Sequence, residues 1–280
     1  MYEPQVSIVI PTYNIVENSQ VNDFDLLLTL LGKQTYPYVE IIVMDNASND
    51  GTVELLKEYK NDGVITFFSA PDQGKFDAIN SGLMRAKGKY VSFLSCDDFY
   101  HDIMGIEKAV SLMEEEESDF CCFPSYFCSS DNVIVFEPAI LNVFQVVPCP
   151  RQAMFFKKSA LQELGYFDSK FKLLADYDLT IRLMLNGYAG VILADNIVTV
   201  KAPVQTEKHT IQSNAELSHI FHKNYRSMYP MTDEVLDRMV NISEVPQELL
   251  EKFADFFPDE SRDEFFEQYE SMYNFRVQNR

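Results

Sequence analysis

Cations are scarce in this 280-residue chain: 23 Lys and Arg stand against 43 Asp and Glu, for a net charge of −20. That balance excludes a nucleic-acid partner, because neutralising phosphates needs basic residues in excess. It also excludes docking on anionic lipid through a basic patch. No apolar run reaches the roughly 18 residues that a bilayer span needs, and no charged-then-apolar leader opens the sequence. The expectation is a soluble, cytoplasmic protein. The five cysteines (Cys96, Cys121, Cys122, Cys128 and Cys149) are odd in number and show no paired CxxC spacing. A structural zinc site is therefore not expected, and reduced, buried thiols are. Internal repeats and low-complexity linkers are absent too. With 46% hydrophobic residues the chain can bury a sizeable core, as one large domain or one domain with an appendage.

What is present is a series of short apolar runs, each ending in polar residues. Val6 to Ile10 has the nearly continuous apolar character of a strand buried on both faces. Pro11 lacks a donor and is expected to stop it, leaving Thr12, Tyr13 and Asn14 at its end. Phe24, Leu27, Leu28 and Leu31 then fall at helical spacing. Glu40 to Met44 is a second strand ending in Asp45, followed by a polar loop to Gly51 and a helix through Tyr59. Val64 to Phe68 is a third strand, with Asp72 close behind. A helix over Lys75–Ala86 follows, carrying Phe76, Ile79 and Leu83. Tyr90 to Leu94 is a fourth strand that leads straight into Asp97 and Asp98.

Strands alternating with helix-length crossovers predict a mainly parallel, doubly wound α/β sheet. If the four strands are parallel, Thr12 to Asn14, Asp45, Asp72 and Asp97–Asp98 all gather at one edge. Ligands of such sheets bind in the crevice there. Helix capping accounts for an isolated Asp-Asp pair, but not for acids at so many strand ends. Two adjacent carboxylates also suit a hard divalent cation carrying substrate phosphates.

Beyond the acidic run Glu114–Glu117 the texture changes. Asp119–Cys128 and Val133–Phe136 read as a hairpin or a pair of edge strands, and Ala153–Lys157 as a further strand. Asp176 and Asp178 open a helix that ends at Gly187. Ala189–Leu193 and Ile197–Val200 complete a second, mixed β region. Met231 to Glu270 holds thirteen acidic residues against three basic ones, interleaved with aromatics. This predicts amphipathic helices over Asp233–Asn241, Gln247–Phe256 and Glu260–Tyr273, packed on the rest of the protein.

Four stretches, in order and spacing, resemble glycosyltransferase family 2: "VSIVIPTYN", "VEIIVMDNASNDGT", "DQGKFDAINSGLMRAKGKYVSFLSCDD" and "GYFDSKFKLLADYDLTIRL". The "QAMFFKKSAL" segment is similar to bacterial members that build surface polysaccharides. The resemblance covers Val6 to about Gly187 and implies the Rossmann-like GT-A fold. It implies a GT-A domain over 1–222, with a nucleotide-sugar half at 1–98 and an acceptor half at 99–222. A helical appendage over 223–280 would complete the chain.

The activity implied is transfer of one sugar, with inversion, from a UDP- or GDP-linked donor to a glycan or lipid-linked glycan hydroxyl. The setting would be the cytoplasm, at the inner face of the membrane where the acceptor is lipid-linked. Pro11, Thr12, Tyr13 and Asn14 would line the nucleotide pocket, and Asp45 would bond the base or ribose. Asp72, Gly74 and Lys75 would approach the nucleotide, although Lys75 reads equally as a solvated helix-start lysine. Asp97 would hold Mn2+ or Mg2+, and Asp98 would support the ion or the donor sugar. Asp176 would be the general base, with Asp178 structural and Arg182 paired to a carboxylate.

Three departures from the family pattern stand out. Ser95 occupies a position where many members carry an acid. Arg151 lies where related enzymes often have His, and could bind a donor or acceptor phosphate or pair with an acid. The segment from Lys201 to Thr206 lacks the glycines common in the acceptor loop. The QxxRW signature of processive synthases is missing, which favours one sugar per encounter. Two rival readings remain, a sugar-nucleotide nucleotidyltransferase and a degenerate nucleotide-binding protein. Against the first, the Gly-rich basic loop that grips a triphosphate is replaced by Pro-Thr-Tyr-Asn.

Overall fold

Buried apolar runs and helical crossovers set the frame of the molecule, a computed structural model that describes residues 5–129, 131–139, 143–144, 148–202 and 207–278. In chain order the elements begin with β1 (Val6–Thr12), α1 (Val21–Gly32), β2 (Val39–Asp45), α2 (Thr52–Asn61), β3 (Thr66–Ser69), α3 (Lys75–Leu83) and β4 (Tyr90–Phe93). β5 (Phe99–Tyr100), α4 (Gly105–Glu115), β6 (Phe120–Cys122), β7 (Ser125–Cys128), β8 (Val133–Phe136), β9 (Met154–Lys157) and α5 (Lys158–Glu163) follow. α6 (Ala175–Leu185), β10 (Gly190–Ile192), β11 (Val198–Lys201), α7 (Glu207–Tyr225), α8 (Asp233–Ile242), α9 (Gln247–Ala254) and α10 (Asp259–Gln278) complete the series.

The chain forms two compact units. The first, Met1–Pro138 with Pro150–Lys172 and Tyr188–Pro203, holds both sheets. Its seven-stranded sheet has the order β10-β6-β9-β4-β1-β2-β3. β1 pairs in parallel with both β2 and β4, and β2 with β3, so their four carboxyl ends share one edge as expected. The chain steps outward from β1 to β3 and then returns to β4 on the other side. The switch point therefore lies between β1 and β4, where such sheets bind ligands. β9 is antiparallel to β4 and β6. α3 lies close on β1 and β2 because Gly82 has no side chain there. A Cβ at that position would run into Val9 and come within 3.1 Å of Met44 Cγ.

Pro11 does not stop β1. It pairs in register with Met44, and the strand runs on to Thr12. Thr12 O accepts from Asn46 N on the β2 side, while Val9 O accepts from Leu94 N on the other. By alternation, the missing Pro11 N–H faces the β4 side, and β4 has already ended there. The stretch expected as a hairpin or a pair of edge strands divides between two sheets. β6 joins the large sheet, whereas β7 and β8 form an antiparallel hairpin in a four-stranded sheet ordered β5-β11-β7-β8.

The second unit comprises Ala139–Cys149, Leu173–Gly187 and Val204–Arg280, and its described residues in regular structure are helical. The boundary expected at 222/223 falls inside α7, a 19-residue helix that the periodicity did not announce. α8 to α10 follow the three expected helices, with Thr232 Oγ1 capping α8 through Val235 N. Within this unit the aromatics form a core: Phe253 is fully buried, with Phe144, Tyr225, Phe257 and Phe265 rings at centroid distances of 4.7 to 6.0 Å. The acidic faces are left to solvent, which explains how so charged a stretch folds. Among the described residues no helix is long and apolar enough to cross a membrane.

Phe253→Ala should lower unfolding stability by about 3–5 kcal/mol, the usual penalty for emptying a buried aromatic site. Urea denaturation reads this directly, and a change below about 1 kcal/mol would make the aromatic cluster a surface rather than a core.

Candidate functional site

The site is built in the first unit, where β1 to β4 end. Asp45, the last residue of β2, is 2% exposed and fully engaged by its own chain. Its Oδ1 accepts from Ser48 Oγ at 2.5 Å and from Thr12 Oγ1 at 3.5 Å. Its Oδ2 accepts from Ser48 N at 3.0 Å and Ser69 Oγ at 2.6 Å. Burying a carboxylate demands this satisfaction, and the result ties the ends of β1, β2 and β3 together. Asp45, expected to meet the base or ribose, is held in place by these four bonds. The neighbouring Asn46, which sequence reasoning missed, is the half-exposed polar side chain at this strand end. Its Oδ1 accepts from Asp72 N at 2.8 Å, leaving an amide NH2 to read a ligand. The position directly after an acid that ends a strand was the available signal.

Asn14 has φ 47°, the left-handed region that Asn tolerates. It is held by Asn14 N to Ser48 Oγ at 2.8 Å and by Asn49 N to its Oδ1 at 3.2 Å. That turn leaves Tyr13 56% exposed while Thr12 is buried. On the β3 side, Asp72 Oδ1 accepts from Gly74 N at 2.7 Å. Burial raises the Asp72 pKa, the Gly74 N–H opposes the shift, and the charges of Asp77 and Asp45 add to it. Gly74 has φ 121° and starts α3, so a side chain there would be strained. Lys75 follows with its ammonium 4.8 Å from the Phe76 ring, and Asp77 accepts from Gln73 N as a first-turn acid.

The two acids after β4 part company. Asp98 is 1% exposed. Its Oδ2 accepts from Ser95 N at 2.8 Å and Gln152 Nε2 at 3.1 Å, and its Oδ1 from Lys201 N at 3.1 Å. Burial pushes its pKa up, against the Ser95 amide and the Arg151 charge, while Asp97 pushes the same way as burial. Asp98 thus ties its own loop to Gln152 and to the end of β11. Asp97 keeps 18% of its side chain exposed, with Lys201 Nζ and Gln20 Nε2 each 3.5 Å from Oδ2. Arg151 is 7% exposed in a 3-10 turn, Arg151–Ala153. Its Nη2 donates to Ser95 Oγ at 3.2 Å, and its guanidinium lies 5.8 Å from the Phe76 ring. Ser95 is therefore the hydroxyl that receives Arg151.

Among the described residues no group of three or more His, Cys, Asp or Glu is arranged to hold a metal ion. Burial raises the Cys96 thiol to about 12, with Asp97 and Asp98 adding to the shift, so it is no thiolate ligand. One partly exposed carboxylate does not make an all-protein cage. It does fit Mg2+ or Mn2+ arriving with phosphate oxygens, since such ions take one or two carboxylates and complete their shell from substrate and water.

In the second unit, Asp176 and Asp178 share the first turn of α6 but not an environment. Asp178 is fully buried and accepts from Arg182 Nε at 2.8 Å, Lys223 Nζ at 2.9 Å and Asn224 Nδ2 at 3.0 Å. Asp176 is half-buried, with Oδ1 accepting from Tyr177 N at 3.0 Å. The turn before it is set by Glu216 of α7, whose Oε2 accepts from Leu173 N and Leu174 N, each at 2.9 Å. Sequence reasoning missed Glu216 with the rest of α7. The acceptor-loop residues 203–206 lie outside the described residues.

A family model described as "Glycosyl transferase family 2" matches residues 7–165. A Mycobacterium tuberculosis PGL/p-HBAD biosynthesis glycosyltransferase is 26% identical over 190 residues, 66% of this chain and 72% of its own length. Another, longer relative is spanned for only 16% of its length. Among solved structures, S. aureus TarS 1-349 in complex with UDP-GlcNAc aligns over 99% of this chain and 92% of its own, with TM-score 0.65 and 16% identity. The mannosyltransferase PcManGT from Pyrobaculum calidifontis, in complex with GDP-Man and Mn2+, aligns over 99% of this chain and 85% of its own, with TM-score 0.65 and 18% identity. At these identities the likeness is one of fold.

The two α6 acids should separate in a stability measurement. Asp178→Asn should lose about 2–3 kcal/mol, because buried charged hydrogen bonds are broken; the partial exposure of Lys223 keeps the loss from being larger. Asp176→Asn should lose less than about 1 kcal/mol. Equal losses in urea unfolding would remove the distinction drawn between them.

Proposed function

This chain belongs to glycosyl transferase family 2, and from that premise we propose that it moves one sugar from a nucleoside-diphosphate sugar to an acceptor hydroxyl, with inversion and with a divalent cation. The fold is the expected GT-A arrangement, with its large, mostly parallel sheet. The observation that carries the proposal is Asp97. It is the acid at the β1/β4 switch point that keeps an exposed face, on a loop held by Asp98. The neighbours bound to UDP-GlcNAc and GDP-Man support a UDP- or GDP-linked donor, and the Mn2+ of one supports Mn2+ or Mg2+ here.

In this reading Asp97 holds the cation, which when bound offsets charge on the leaving diphosphate. Asn46, Tyr13 and the Thr12–Asn14 turn form the nucleotide wall, while Asp45 keeps that wall in shape. Asp72 and Gly74 set the start of α3, so that Lys75 and the buried Arg151 supply positive charge near the phosphates. Asp176 takes the proton from the acceptor hydroxyl as its oxygen attacks the anomeric carbon and the bond to the diphosphate breaks. One displacement inverts the centre. The mycobacterial relative supports a role in bacterial glycan biosynthesis. A cytoplasmic site of action, at the membrane face where the acceptor is lipid-linked, is part of the proposal.

Two variants test it. Asp97→Asn should abolish Mn2+-dependent binding of a nucleoside diphosphate, followed by thermal shift. Asp176→Asn should keep that binding and lose turnover by about 10²–10⁴-fold. Unchanged transfer in Asp176→Asn removes it as the base, and pyrophosphate release from a nucleoside triphosphate would point to a nucleotidyltransferase instead.

A further inference from the structure

Lys201 ends β11, and its backbone is tied twice to the loop that carries Asp97. Its amide donates to Asp98 Oδ1 at 3.1 Å. β11 also pairs antiparallel with β5, the strand that follows Asp98, through Val198 with Tyr100 and Thr199 with Phe99. From this fixed root the ammonium reaches to 3.5 Å from Asp97 Oδ2 and 3.6 Å from Asp23 Oδ2. The side chain is 57% exposed, so its head can move while its root cannot.

Asp97 is therefore a carboxylate that already has a counter-ion. We propose that Lys201 is an exchangeable counter-ion for Asp97, occupying the cation position in the nucleotide-free protein and turning to the diphosphate oxygens when nucleotide and divalent ion arrive. The inference rests on the proposed function, which places both ligands beside Asp97. An ammonium and a divalent ion cannot share one carboxylate oxygen without strong like-charge repulsion. Entry of the ion without nucleotide must displace Lys201 from Asp97, and among the described residues Asp23 is the carboxylate then left within reach of the ammonium. A diphosphate removes that penalty, because it gives the ammonium new anionic oxygens within the length of the side chain. The contact distances of 3.5 and 3.6 Å and the exposure suit a pair that exchanges, since such pairs contribute little to stability. Lys201 is a positioning residue that sets the order of binding, and it makes the free protein a poor metal binder.

The test uses the full chain with Lys201→Met and Lys201→Arg. Mn2+ is titrated calorimetrically into nucleotide-free protein, and UDP and GDP are titrated in the presence of EDTA. Lys201→Met should bind Mn2+ about five- to tenfold more tightly and the better of the two nucleotides about five- to tenfold more weakly, at the lower end of coupling between linked sites. Lys201→Arg should stay near wild type in both. The opposite signs matter, because simple damage to the loop would weaken both. Unchanged or weaker Mn2+ binding in Lys201→Met, or unchanged nucleotide binding, overturns the counter-ion role. If Lys201→Met does not fold, Lys201→Gln takes its place, with the same two shifts expected and the same results overturning the role. Failure of the wild type to bind Mn2+ together with either nucleotide would overturn the proposed function itself, whereas failure confined to the variants overturns only this role.

Discussion

The site depends on one buried carboxylate. Asp98 has almost no contact with water, and an uncompensated charge in that position would be prohibitively unfavourable. Its compensation comes from three separate parts of the chain: the Ser95 amide beside it, the Gln152 side chain and the Lys201 amide. Meeting that demand brings the loop after β4, the 3-10 turn at Arg151 and the end of β11 to one point. Asp97, Arg151 and Lys201, three of the groups proposed to handle phosphate or metal, are next to or part of this junction. Asp45 works in the same way, joining Thr12, Ser48 and Ser69.

The charge at the junction follows from the same bonds. Ser95, at a position where an acid is common, accepts from Arg151, whose charge also acts on Asp98. An acid at 95 would pair with that guanidinium and draw it away from Asp98, leaving the buried charge less well compensated. With Ser95 in place, the two acids Asp97 and Asp98 stand against the two cations Arg151 and Lys201. The loop is then close to neutral in a chain of net charge −20. A dianionic diphosphate can approach such a loop more easily than one whose carboxylates stood uncompensated.

The fold was largely legible because it rests on local regularities. Buried strands read as apolar runs, crossovers as 3.6-residue stripes, and the carboxyl edge follows once the strands are taken as parallel. What was not legible depends on partners distant in sequence. Nothing near Asp97–Asp98 says which carboxylate turns inward, because Gln152 and Lys201 lie 54 and 103 residues beyond Asp98. Pro11 read as a strand end because its missing donor is harmless only where β4 has finished, and that is a matter of register. α7 was missed because only a few of its positions are buried, Glu216 among them, so no broad apolar stripe marks it. Glu216 itself reads as a surface acid until Leu173 and Leu174 are seen beside it.

A common logic links the acid-rich positions. At 45–46, 97–98 and 176–178 the chain sets two polar side chains within two residues of each other, and one of each pair is buried and saturated by its own protein. Asp45, Asp98 and Asp178 tie different elements together through their hydrogen bonds, while Asn46, Asp97 and Asp176 keep a face toward solvent. The buried member cannot serve a ligand without giving up bonds that its burial makes indispensable. The exposed member has no such obligation, and its neighbour fixes its backbone. Acid-rich motifs of this kind therefore contain two functions at adjacent positions, and burial is what separates them. By this logic the two acids after β4 are not interchangeable: losing the carboxylate at 98 would remove the brace, and losing the one at 97 would remove the proposed ligand while the brace stays in place.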